Sequence, residues 1–199
     1  MWLFLGTEVM FFGGLFCAYL IYRHWYFGDF GAASKSIDAL LGGINTAVLI
    51  CSSLTVALGV RAAQMGKRRL LVLLLLLTLV FGLGFLGIKA VEWHDKFVEH
   101  HVPGISFNAD DLMRDNPQIH IDPAHTQIYF SLYFAMTGLH ALHMIIGVGI
   151  FCYLTYYGWK GRYTPEYHTP VEIGGLYWHF VDLIWIYLFP LLYLIDRHR

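Results

Sequence analysis

Five stretches of this chain are long and apolar enough to cross a bilayer, and no other feature constrains its fold as tightly. They run over about 1–22, 38–60, 70–91, 126–157 and 172–195. A helix needs about 20 residues to cross the hydrocarbon core. Hydrocarbon offers no partner to a free backbone N–H or C=O, so each crossing must be helical. A membrane β-barrel would show short alternating segments, and these runs are continuous. The expected fold is all-α, an integral membrane bundle of five helices forming one domain over residues 1–199.

Composition points the same way. The chain is 57% hydrophobic and only 14% charged, whereas a soluble domain carries about a quarter charged residues. A net charge of −1 gives no electrostatic case for nucleic acid. Cys17, Cys51 and Cys152 each lie in an apolar run and form no CxxC pair, so they read as small buried hydrophobes. The first run has no basic segment before it and no A-x-A-like site, and is expected to be a retained span. Tyr22, Trp25 and Tyr26 after the first span, and Tyr156, Tyr157 and Trp159 after the fourth, read as interfacial anchors.

Basic residues set the expected orientation. Arg61, Lys67, Arg68, Arg69, Lys160 and Arg162 crowd into two short loops on one face. The other face has a similar number spread over longer segments. The expected topology has the N-terminus inside and the C-terminus outside. The segment 92–125, acidic at Asp110, Asp111 and Asp115, would then face outward.

Ionisable side chains within spans are costly and face protein or water. Glu8, in WLFLGTEVMFFGGLF, is one. It is either a proton-exchanging carboxyl or a carboxyl hydrogen-bonded to a neighbouring helix. His140 and His143 lie three apart and share a helix face. His179 stands three before Asp182, a spacing that suits a hydrogen-bonded pair. These histidines raise the alternative of a haem-bearing membrane cytochrome b, but a bis-histidine haem needs ligands at matching depth on opposing helices, and at most one such pair can be drawn. His94, His100, His101, His120 and His125 raise a di-iron alternative, but only one HH box is present. No nucleophile elbow or P-loop occurs. Gly82, Gly84 and Gly87 fall mid-span, where small residues serve close helix packing, as do Gly13 and Gly14. The residues alone describe a helical bundle with a few buried polar groups and no convincing redox centre, the profile of an accessory subunit. A lipid-binding or assembly protein without a catalytic partner has the same profile.

Several segments together resemble the subunit III family of the haem-copper cytochrome c oxidases, in its five-helix bacterial form. GTEVMFFGGLFCAYL is similar to the family's glutamate-bearing helix, with Glu8 at that position. INTAVLICSSLTVALG from Ile44, KAVEWHD from Lys89 and FAMTGLHALHMIIG from Phe134 resemble the next three helices. VEIGGLYWHFVDLIWIYLFPLLYL from Val171 carries the Tyr-Trp-His-Phe-Val-Asp signature of the last. The resemblance implies a chain that binds no haem or copper itself. It implies partners: the catalytic subunit I, with its haems and copper, subunit II, other respiratory complexes and phospholipids. The complex reduces oxygen to water and pumps protons across the bacterial inner membrane. Glu8 would modulate proton uptake. His140, His143, His179, Asp182 and Glu92 would form an interhelical polar network, and Lys160 and Arg162 would contact lipid phosphates. The sequence departs from the seven-helix form in starting at the glutamate helix, so the resemblance does not extend to the lipid-filled cleft made by the two N-terminal helices of that form, a pair that another subunit could supply. Subunit III of a quinol oxidase, or the related accessory protein of a nitric oxide reductase, is an alternative within the superfamily.

Overall fold

The computed structural model describes residues 2–98, 102–104, 113–114 and 121–194. In chain order it has α1 (Trp2–Trp25), α2 (Phe27–Lys35), α3 (Ala39–Gln64), α4 (Arg68–Val98), α5 (Pro123–Trp159) and α6 (Thr169–Tyr193). All but α2 are long and apolar enough to span a membrane. The described residues contain no strand, only an isolated bridge between Thr164 and Tyr167.

The helices outrun the apolar segments because an i to i−4 ladder does not stop where hydrocarbon does. The polar sequence EWHDKFV continues α4 to Val98. At the start of α5 the Asp122 carboxylate accepts the Ala124 N–H at 2.9 Å, with Pro123 in the first turn, where its missing N–H costs nothing. Glu92, His94 and His125 therefore lie on helices and not in a connecting loop. His100, His101 and His120 fall outside the described residues, as do Asp110, Asp111 and Asp115. The short α2 had no apolar run to announce it. It forms because its small residues and Phe30 are buried from Asp29 to Ser34.

The chain divides into two compact units. The first comprises 1–42, 90–139 and 187–199. Its core holds Tyr19, Phe30, Tyr129, Phe130, Tyr133 and Tyr193, all fully buried. The last carbonyls of a helix have no partner within it; here hydroxyls supply them. Tyr19 donates to the Leu191 carbonyl at 2.8 Å, while Ser34 and Tyr129 donate to that of Leu192 at 2.8 and 2.9 Å. The end of α6 is thereby sealed by α1, α2 and α5.

The second unit comprises 43–89 and 140–186 and buries Trp178 and Trp185. A Cβ at Gly82 would lie 2.7 Å from the Trp178 ring, and one at Gly147 3.0 Å from it. Among the glycines expected to mediate close packing, Gly82 does so. Gly13, Gly14, Gly84 and Gly87 have nothing within 4 Å of an added Cβ, so the small-residue pattern overstated the contact. The two turns of this unit end their helices alike. Gly66 (φ 68°) and Gly161 (φ 75°) take the left-handed conformation. The Lys67 N–H returns to the Ala62 carbonyl and the Arg162 N–H to that of Tyr157, closing Schellman motifs.

The cysteines correct another expectation. Cys17, Cys51 and Cys152 are all exposed. In a spanning helix an apolar outer face meets hydrocarbon, so a thiol gains nothing by turning inward.

Candidate functional site

Burial differs sharply along the chain. In its most apolar stretch α1 buries 11% of its residues and α6 buries 50%. Glu8 sits on α1 and is half-buried. Its neighbours Val9, Met10 and Phe11 point outward. Glu8 thus occupies the helix with the least cover from its own chain.

Glu92, in the first unit, is a deeply buried carboxyl. It is 3% exposed. Tyr133 from α5 and Tyr193 from α6 both donate to its Oε1, each at 2.5 Å. Three helices meet on one oxygen, an arrangement that sequence reasoning could not assemble from residues 41 and 101 positions away. Nearby in the same unit, Lys96 donates to the Ser36 carbonyl at 2.9 Å.

In the second unit, Ser53 Oγ and His179 Nδ1 share a hydrogen bond of 2.6 Å. Ser53 also lies against the buried Asp182 carboxyl, without a well-aligned hydrogen bond to either of its oxygens. The pairing of His179 with Asp182 is therefore not made, and a serine from α3 takes the imidazole instead. Ser53, on a different helix, takes the Nδ1 position of the ring. His140 is 1% exposed and packs as an aromatic, 5.4 Å from the Phe85 ring and 5.1 Å from Trp185. Neither of its ring nitrogens is hydrogen-bonded. His143 is buried on the same face, its carbonyl accepting the Tyr177 hydroxyl at 3.0 Å. Trp178 donates to Ser52 and Trp185 to Thr46, at 3.0 and 3.1 Å. Hydroxyls at mid-span, at positions 46, 52 and 53, were the available signal for these contacts.

A further group was missed. Asp29 of α2 is buried, and its Oδ2 lies 2.7 Å from His125 Nδ1. The Asp122 N–H adds a bond of 3.2 Å to Oδ1, and Tyr26 stacks on the imidazole with centroids 3.6 Å apart. A lone acidic residue among the small and aromatic residues of FGDFGAAS was the clue.

In the second unit, Lys160 lies 4.5 Å over the Tyr156 ring and Arg162 4.9 Å over Tyr157. His168 Nε2 and the Gln64 amide both meet Glu172 Oε1, at 3.1 and 2.8 Å. Among the described residues no group of three or more His, Cys, Asp or Glu side chains is arranged to hold a metal ion.

Five spanning helices carrying isolated buried polar groups define a multi-pass membrane protein whose polar interior serves its own packing or a partner's chemistry. Comparison with known proteins specifies the class further. Residues 123–196 match the family described as cytochrome c oxidase subunit III. The probable cytochrome c oxidase subunit 3 of Nocardia farcinica is 31% identical over 193 residues, covering 97% of this chain and 85% of that protein. The cytochrome c oxidase subunit 3 of Thermostichus vulcanus is 30% identical, with coverages of 98% and 85%. The quinol oxidase subunit 3 of Bacillus spizizenii is 28% identical, with coverages of 97% and 84%. The chain belongs to the subunit III family of the haem-copper oxidases. It is accordingly a membrane component of a complex with other oxidase subunits.

Proposed function

We propose that this chain is the accessory subunit of a proton-pumping terminal oxidase in a bacterial cytoplasmic membrane, and that Glu8 assists proton uptake by the catalytic subunit. The haems and copper reside in subunits I and II. The N-terminus faces inside and the C-terminus outside, in keeping with the basic residues crowded at the α3–α4 and α5–α6 turns. Lys160 and Arg162 contact lipid phosphates, and His140, His143, His179, Asp182 and Glu92 serve interhelical packing. The observation that carries the reading is the placement of Glu8: a half-buried carboxyl on the helix that its own chain covers least. A carboxyl there faces an environment that a partner subunit completes.

The test is Glu8→Gln in the assembled complex. Assembly is expected to stay intact, while proton uptake slows or the enzyme's working life shortens. Unchanged turnover together with an unchanged inactivation rate removes Glu8 from the mechanism.

The donor is cytochrome c, and a quinol is the second reading, because a relative named for quinol oxidation matches over almost the same length. Purification through a tag on this chain, with an absorption spectrum and identification of the co-purifying subunits, separates the two. A subunit II carrying copper supports cytochrome c; one lacking it supports quinol.

A further inference from the structure

Tyr19, Tyr129, Tyr133 and Tyr193 are all fully buried in the first unit, and their rings follow one another closely. Tyr19 and Tyr129 have centroids 6.2 Å apart. Phe130 continues the series, 5.4 Å from Tyr129 and 6.5 Å from Tyr133. Tyr133 and Tyr193 close it at 6.4 Å. Aromatic packing accounts for such a cluster, and the ring distances single out no member of it.

Their hydroxyls differ. The phenols of Tyr19 and Tyr129 donate to the amide carbonyls of Leu191 and Leu192, which bind hydrogen but are too weakly basic to take a proton. Those of Tyr133 and Tyr193 donate to one carboxyl oxygen, Oε1 of Glu92, each at 2.5 Å. A carboxyl can take a proton outright, and both phenols are within the reach that transfer requires. Tyr129 stands one turn before Tyr133 on α5 and is satisfied by a carbonyl. A hydroxyl at this depth therefore needs no carboxyl to be satisfied, and burying one is costly. Glu92 does more than complete the packing.

A phenol on a carboxyl and a phenol on a carbonyl part ways when an electron is removed. An oxidised phenol is a strong acid, and a positive charge left on its ring inside the protein is expensive. The electron leaves readily only where the proton can leave too. Tyr133 and Tyr193 meet that condition, and Tyr19 and Tyr129 do not.

We propose that Glu92, Tyr133 and Tyr193 form a proton-coupled redox site that supplies one electron to an over-oxidised haem centre of the catalytic subunit. An electron passes from Tyr133 to that centre, which is reduced by one. The Tyr133 O–H bond breaks, an O–H bond forms at Glu92 Oε1, and a neutral tyrosyl radical remains. Tyr193 shares the oxygen and lies 6.4 Å away, so it undergoes the same step with the same acceptor. One electron from the oxidase's own donor then reduces the radical, and Glu92 returns the proton to the phenol. The inference rests on the reading of this chain as a subunit of a haem-bearing oxidase, and it does not depend on the role of Glu8.

The experiment uses the purified complex, with its haem content read from the absorption spectrum. Hydrogen peroxide oxidises the haem centre in the absence of electron donor, and samples are freeze-quenched for electron paramagnetic resonance. The parent is expected to show a tyrosyl radical component that is lost in the Tyr133→Phe, Tyr193→Phe double variant. Glu92→Gln, which keeps an oxygen for the phenols but no base, is expected to lose it as well. Tyr129→Phe removes a buried hydroxyl from the same helix without touching the carboxyl, and is expected to keep it. A radical spectrum equal in the parent and the double variant overturns the proposal. Full signal in Glu92→Gln also overturns it, because the proton then has another acceptor. Loss of the signal in Tyr129→Phe as well assigns the effect to a loosened core, with the same consequence. Failure of the oxidase reading shows differently: the purified complex then holds no haem to oxidise, and the proposal falls with that reading.

Discussion

Tyr133 donates a hydrogen bond of 2.5 Å to Glu92, joining α5 to α4 inside the first unit. Tyr193 of α6 donates to the same oxygen. Burying a carboxyl is costly, and hydrogen bonds to its oxygens offset that cost. Removing the Tyr133 hydroxyl by Tyr133→Phe is expected to cost about 1–3 kcal/mol. Glu92→Gln keeps an amide oxygen for the tyrosines and should cost less than Glu92→Ala, which removes it. Thermal unfolding of the detergent-solubilised complex gives the order; equal midpoints for Gln and Ala would show that the tyrosine bonds contribute nothing.

Ser53 and His179 make a second interhelical contact that one atom can abolish. Ser53→Ala should destabilise by about 1 kcal/mol. In a double-mutant cycle with His179→Phe, a coupling of similar size is expected, whereas independent sites add without coupling.

The glycines of α4 separate by neighbour and not by spacing. Gly82→Ala forces the Trp178 ring aside from a 2.7 Å approach and should cost about 1–3 kcal/mol. Gly84→Ala meets nothing within 4 Å and should be neutral or stabilising by up to about 1 kcal/mol, since Ala favours the helix. Urea or thermal midpoints of the two variants moving together would refute this distinction.

Tyr163, in the α5–α6 turn, offers a pH test outside the spans. Burial pushes its phenol up to about 12. The protonated form is the one the fold favours, so its contribution is complete below the ordinary tyrosine value near 10. As pH rises from there towards 12, the unfolded chain releases the proton first and that stabilisation drains away. Tyrosinate absorbance of Tyr163→Phe should match that of the parent up to about pH 11 and fall below it only near 12. A difference already present near pH 10 would place the phenol in water.

The pattern of residues made much of this legible. Apolar length decided five spans, because hydrocarbon admits few backbone solutions. Ordered motifs such as YWHFVDLIW point to the oxidase subunit III family from the sequence alone. Helix ends were less legible, because Glu92, His94, Asp95 and Lys96 are polar yet helical. So was α2, whose short run has no periodic signature.

The sequence by itself determined that the chain crosses a membrane as helices, where its ionisable residues lie along those helices, and which family it resembles. Only the tertiary structure decided which polar groups meet. Glu92 finds Tyr133 and Tyr193, His179 finds Ser53 in place of Asp182, Asp29 finds His125, and Gly82 alone among its near neighbours meets an indole. The physical reason lies in the solvent. Hydrocarbon acts on each helix separately, through its length and its backbone, so it leaves a mark in linear sequence. A hydrogen bond between helices depends on rotation, crossing and depth, which are set by the packing of all the helices together.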